Sequence, residues 1–117
     1  MASQTHLAAE RLVSTLADDP DMSDLVAIFL SELPRNLELV EAAVARRDRD
    51  ELKRQAHRMR GSYAGYGFPT LSDLAGDLER EILEGSVWTR VAVRAGMLVY
   101  NCRRAIVSTP QSSPVGV

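Results

Sequence analysis

The sequence predicts an all-α protein, an antiparallel up-down four-helix bundle with an additional short N-terminal helix. Apolar residues recur at intervals of three and four along most of the 117-residue chain, which is the spacing of one face of a helix. No segment alternates between apolar and polar residues over a useful length, so strands are not expected. The connections between the predicted helices are short, which makes successive helices antiparallel neighbours.

The first two predicted helices are separated by an acidic turn. The short N-terminal helix is expected over about residues 5–17. The longest helix follows over about 20–46, with Asp19 as its N-cap and Pro20 at the first helical position, where a missing N–H costs nothing.

Pro34 lies inside this longest predicted helix. An interior proline costs about 3 kcal/mol and bends a helix. Because the apolar pattern keeps its phase through Pro34, we expect a bend and not a break, and the alternative is two helices that meet at Leu33. The apolar stripe of this segment comprises Met22, Leu25, Val26, Phe29, Leu33, Leu37, Val40 and Val44.

Three more helices are predicted after the longest one. The first begins at the N-cap Asp48 and ends at Gly65 and Gly67, the second ends at Gly85, and the third begins after an N-cap at Ser86. The inner face of the last helix is expected to consist of Val87, Val91, Leu98, Cys102 and Ile106.

Composition predicts a single domain over residues 1–109, followed by a C-terminal tail over 110–117. The net charge of −2 provides no general attraction to nucleic acid or to anionic lipid. No apolar run approaches the roughly 20 residues that span a bilayer, so no membrane association is expected. The single cysteine and the absence of an N-terminal apolar run lead us to expect a cytoplasmic protein.

Most sequence patterns of enzymes and metal sites are missing. The chain has no Gly-rich phosphate loop, no Cys-x-x-Cys and no His-Glu-x-x-His. Its two histidines, His6 and His57, lie far apart in sequence, so we expect no metal site. Cys102 falls on the predicted inner face of its helix and is expected to be a core residue.

His57 is the strongest candidate for chemistry. On a helical wheel it points outward beside the buried stripe of the third predicted helix. The residues three and four positions away are Lys53, Arg54, Arg60 and Gly61. The cations would disfavour the imidazolium, leave a neutral nucleophile and later neutralise a phosphoryl group. Gly61 would leave the approach to the ring open. A basic run interleaved with acidic residues is also typical of a solvated helix face.

The stretch from His57 to Gly67, HRMRGSYAGYG, resembles the signature of histidine phosphotransfer (HPt) domains. That signature has the form His-x-Leu-Lys-Gly-Ser/Ala, with a glycine ten residues after the histidine. Residues 29–34 and 71–79 resemble the helices on either side of the phosphorylation site, and the resemblance covers about residues 12–85. Arginine replaces the usual lysine and methionine the usual leucine, which keeps the charge and the core volume.

The resemblance implies a phosphoryl carrier that has no kinase activity of its own. A receiver domain phosphorylated on aspartate would dock over His57, which attacks the phosphorus, and the reaction can run backward to a second receiver. Arg60, with Lys53 or Arg54, would stabilise the phosphoryl oxygens. The implied site comprises the phosphorylated His57 together with Arg60, Gly61 (for access), Lys53, Arg54 and Ser62.

The implied partners are response-regulator receiver domains and a hybrid sensor histidine kinase. The chain is expected to bind no cofactor of its own, with Mg²⁺ on the partner receiver, and to be a monomer. Leu25 and Phe29 are candidate docking hydrophobes.

The alternative function is a non-phosphorylated helical module that only binds receivers. Acidic residues within the basic run over 46–60 argue against nucleic-acid binding.

Overall fold

A computed structural model of the protein describes residues 12–108, which contain four α-helices and no strand. The helices are α1 (Ser23–Ala45), α2 (Arg49–Gly65), α3 (Pro69–Leu83) and α4 (Trp88–Ser108). Each helix packs against the next, and α4 packs back against α1, which closes a ring of four helices. The loops are only three or four residues long, so consecutive helices run antiparallel. The predicted all-α four-helix architecture is confirmed.

The segment before α1 differs from the prediction. A helix was expected over residues 5–17, but residues 12–17 form irregular chain and turns, so this part of the prediction is wrong. Residues 5–11 lie outside the described part of the chain.

Bonds from Ser14 and Thr15 to the loop between α2 and α3 explain the irregular segment. The Ser14 hydroxyl donates to the carbonyl of Tyr66 at 2.6 Å and accepts the N–H of Leu16 at 3.0 Å. The N–H of Thr15 donates to the carbonyl of Gly67 at 2.8 Å. Because these groups bond to the loop, they are not available for the bonds of a local helix.

The start of α1 also lies beyond the predicted position. The Asp19 carboxylate accepts the N–H of Asp21 at 2.9 Å, which closes a turn around Pro20. Asp19 is therefore not the N-cap, and the cap position belongs to Met22, which makes no side-chain cap bond. Pro34 lies within a continuous α1, so the prediction that the helix does not break there is confirmed.

The ends of α2 and α3 match their sequence signals. The Asp48 carboxylate accepts the N–H of Glu51 at 3.0 Å, as expected of the predicted N-cap. Gly67 and Gly85, which follow the two helices, have φ values of +86° and +71°. These are left-handed conformations that glycine adopts without a Cβ penalty, and they end both helices as predicted.

The predicted start of α4 is wrong. The Ser86 hydroxyl does not cap the helix, because it donates to the carboxylate of Glu81 at 2.5 Å. The helix begins at Trp88, and Val87, predicted on the inner face, is 66 % exposed.

The core is aliphatic along its length and aromatic at one end. Phe29 stacks on Tyr66 with centroids 4.6 Å apart and meets Tyr63 edge-on at 4.9 Å. The Tyr63 hydroxyl accepts a bond from Asn36 at 3.1 Å. Cys102 is fully buried, as predicted for a core residue.

Within residues 12–108, no helix is long and apolar enough to cross a membrane.

Candidate functional site

The inner face of α2 determines how His57 is presented. Its buried residues are Leu52, Gln55, Ala56, Met59 and Tyr63. Since His57 lies off this stripe, its side chain stays at the outer edge of α2, next to α3, and is 65 % exposed. The expectation that His57 points outward beside the core stripe is confirmed.

The carboxylate of Glu79 on α3 contacts both His57 and Arg60. Its Oε2 lies 2.8 Å from Nδ1 of His57, and its Oε1 lies 3.1 Å from Nε of Arg60. The Glu79 side chain is only 12 % exposed, and each of its two carboxylate oxygens has a partner. An ionised carboxylate can only accept, which means that Nδ1 donates and that the lone pair of a neutral ring is on Nε2.

Sequence reasoning missed Glu79. The available signal was its position on α3, three residues after Gly76 and seven after Ser72, which places these residues on one helix face. Recognising Glu79 as the partner of His57 also required the register between α2 and α3, which the sequence does not state.

The cations around His57 are more closely paired than the sequence suggested. Arg60 binds Glu79, and Arg54 binds Glu51 at 2.7 Å. Among residues 12–108, Lys53 has no carboxylate partner. The sequence analysis named only cations around the ring, and the structure adds a carboxylate that is bonded directly to it.

Small residues on α3 allow it to approach α2 closely beside Arg60. A Cβ added at Gly76 would lie 3.1 Å from Cδ of Arg60, so the arginine stem occupies the space above this glycine. The Ser72 hydroxyl donates to the carbonyl of Arg60 at 2.7 Å. These contacts fix the register that brings Glu79 to His57.

An open groove runs between α2 and α3 beside His57. Its lining residues are Lys53, Arg54, His57, Arg58, Glu79 and Leu83. Arg58, which the predicted site did not include, adds a cation to the α2 wall. A Cβ at Gly61 would meet no atom within 4 Å, so the surface one turn beyond His57 is open. Ser62 is exposed but does not line the groove.

The two candidate docking hydrophobes on α1 differ in burial. Leu25 is 47 % exposed and its neighbour Ile28 is 55 % exposed, whereas Phe29 is 7 % exposed. The apolar stripe predicted that Leu25 lies in the core, and its exposure shows that this prediction is wrong. Phe29 cannot serve as a docking residue, because its ring is packed against three other aromatic rings in the core.

In the described part of the chain, no group of three or more His, Cys, Asp or Glu residues lies together as a metal site.

Comparison with known proteins identifies the family. A family model described as Hpt domain matches residues 24–95, which is more than half of the chain and includes the whole groove beside His57. Neither the comparison with curated proteins nor the comparison with solved structures found a match. Hpt domains are phosphocarriers of two-component phosphorelays, where they interact with receiver domains and histidine kinases. From the match over α1, α2, α3 and the first part of α4, the chain belongs to the Hpt domain family.

Proposed function

We propose that this protein accepts a phosphoryl group on His57 from a phospho-aspartyl receiver domain and relays it to another receiver. The observation that carries the proposal is the 2.8 Å contact between Glu79 and Nδ1 of an exposed His57. A carboxylate acceptor on Nδ1 selects the tautomer in which Nε2 holds the lone pair. A histidine on a solvated helix face does not need such an arrangement.

The transfer step uses Nε2 of His57 as the nucleophile. The Nε2–P bond forms while the bond between phosphorus and the receiver's aspartate oxygen breaks, and the aspartate leaves as a carboxylate. The proton on Nδ1 stays on the ring, which gains positive charge, and the Glu79 carboxylate stabilises that charge. Phosphoryl transfer needs mainly positioning and charge stabilisation, which a rigid helix bundle can supply.

The surrounding residues take roles that follow from their positions. Lys53, one turn before His57 and without a carboxylate partner among residues 12–108, is free to neutralise phosphoryl oxygens. Arg60, three residues after His57, is held by the same Glu79 carboxylate. Gly61 leaves room for the partner's backbone. Mg²⁺ would come with the receiver, and the domain would act as a monomeric carrier without kinase activity.

A transfer assay with single histidine variants tests this proposal. Receiver domains from the same genome are charged with labelled acetyl phosphate and Mg²⁺ and then mixed with the protein. We expect acid-labile, base-stable label on the wild type and none on His57→Gln. The matched control is His6→Gln, which removes the other histidine of the chain and should accept label normally.

Two results would contradict the proposal. Equal labelling of His57→Gln would show that another residue carries the phosphoryl group. Receivers that bind the wild type and His57→Gln alike, with no label on either, would favour the alternative of a module that only binds receivers.

A further inference from the structure

We infer that Leu83 is an apolar contact for the docked receiver domain and helps to select among receivers, an inference that rests on the proposed function. Leu83 is the last residue of α3 and is 64 % exposed. It lines the same groove as His57 and Glu79. A domain that covers this groove around His57 would therefore also contact Leu83.

The antiparallel register places Leu83 next to the cationic wall of the groove. Glu79 faces His57, Leu83 lies one turn further along α3, and Lys53 lies one turn back along α2. Leu83 therefore stands at the end of the groove that carries Lys53. Toward the other end, a Cβ at Gly61 would meet nothing within 4 Å.

The chemistry of the groove fits a receiver domain as its occupant. Lys53, Arg54 and Arg58 on one wall are complementary to the carboxylates that surround the phosphorylated aspartate of a receiver. Charge of this kind guides approach and orientation, whereas affinity is usually concentrated in a few side chains that become fully buried on contact. Leu83 is the one exposed large hydrophobic residue among the groove residues. Because receivers share the acidic site, an apolar contact beside it is where their affinities can differ.

Val87 offers a matched control. It is a branched aliphatic residue only four positions further on, and at 66 % it is as exposed as Leu83. It lies in the loop before α4 and does not line the groove. Truncating either side chain removes exposed apolar surface and no hydrogen bond, so both variants should keep the wild-type Tm.

The test measures binding and transfer separately. Receiver domains from the same genome, activated with beryllofluoride and Mg²⁺, are titrated against the wild type, Leu83→Ala and Val87→Ala by calorimetry. We expect Leu83→Ala to raise the Kd of the tightest receiver about five- to tenfold and to change the order of preference, with Val87→Ala within about twofold of wild type. A Leu83→Ala protein that binds every receiver as the wild type does would overturn the inference.

Label transfer then distinguishes this inference from the proposed function. If Leu83→Ala weakens binding but the wild type never acquires label on His57, the docking contact stands and the relay function fails. If the wild type is labelled and Leu83→Ala binds normally, the relay function stands and the docking contact fails. If no receiver binds the wild type, both are overturned.

Discussion

Glu79 and His57 form a hydrogen-bonded pair between α3 and α2, with the carboxylate Oε2 2.8 Å from Nδ1 of the ring. The acid is 12 % exposed and the imidazole 65 % exposed, so the bond fixes the ring without withdrawing it from solvent. Arg60 engages the second carboxylate oxygen at 3.1 Å. In the proposed transfer, this arrangement would present Nε2 to the partner and keep a negative group beside the ring as it becomes positive.

Removing the Glu79 carboxylate should slow phosphotransfer. We expect Glu79→Ala to lower the single-turnover rate about tenfold to a hundredfold, since the ring loses both its orientation and its charge partner. Glu79→Gln keeps an acceptor oxygen and should lose less. Nitrogen chemical shifts of His57 should show a single Nδ1–H tautomer in the neutral ring of the wild type and a mixture in Glu79→Ala.

A remote acidic residue provides the control for that experiment. Glu41→Ala breaks an exposed ion pair with Arg103, 2.8 Å long, between α1 and α4. It should leave the transfer rate and the His57 shifts unchanged. A Glu79→Ala protein with the wild-type rate and tautomer would contradict the role given to Glu79.

We expect that Gly61 lowers the stability of α2 but leaves room for the docked partner. A Cβ at Gly61 meets nothing within 4 Å, and the same is true of Gly96 on α4. Replacing either helical glycine with glutamine should stabilise the fold by about 0.5 kcal/mol, because glutamine is the better helix former. Only Gly61→Gln should slow phosphotransfer, by about tenfold or more, since its side chain would displace the docked partner. Thermal unfolding and single-turnover transfer measure the two effects, and equal transfer rates for both variants would contradict the access role.

Features fixed by near neighbours in sequence were predictable. Asp48 caps α2 through a residue only three positions away, and Gly67 and Gly85 end helices by their own backbone freedom. His57 was placed correctly on the outer edge of α2, because helical periodicity alone determines which residues share a face.

Features fixed by distant residues were not predictable from local patterns. The Ser14 hydroxyl bonds to a carbonyl 52 positions away, which overrides the helical pattern before α1. Ser86 has the side chain of a good N-cap, but Glu81 competes for its hydroxyl. Glu79 reaches His57 from 22 positions away, and only the packing of α3 on α2 brings the two together.

Two glycines with positive φ should differ in their tolerance of a side chain. At Gly85 a Cβ would meet nothing within 4 Å, so Gly85→Ala should lose only the backbone cost of about 1–2 kcal/mol. At Gly67 a Cβ would collide with the Ser14 hydroxyl and lie 3.0 Å from the N–H nitrogen of Leu16. Gly67→Ala should therefore lose at least about 1 kcal/mol more, because the bridge from Ser14 to the loop is displaced as well. Urea unfolding measures both losses, and equal values would show that the Ser14 contact adds no stability.

Glu81 holds the turn between α3 and α4. Its carboxylate accepts bonds from Arg90, Ser86 and Arg94, with Arg90 Nη2 at 3.1 Å and Arg94 Nε at 3.4 Å. The Arg90 guanidinium, followed by the Ser86 hydroxyl, lowers the pKa of Glu81 from 4.5 to about 2. The folded state therefore binds this proton less readily than the unfolded state does.

The stability contributed by Glu81 should depend on pH. Because its pKa is lowered in the folded state, the contribution is complete above about pH 5 and is lost as the pH falls from 4.5 toward 2. Glu81→Gln keeps the size of the side chain but not its charge, so at pH 7 its Tm should be a few degrees below wild type, and the gap should narrow at pH 2.5. Circular dichroism melts at both pH values measure this. Glu32→Gln, on the exposed face of α1, serves as the control and should have the wild-type Tm at each pH. If the Tm difference between Glu81→Gln and the wild type is the same at both pH values, the carboxylate stabilises the fold by packing and not by its charge.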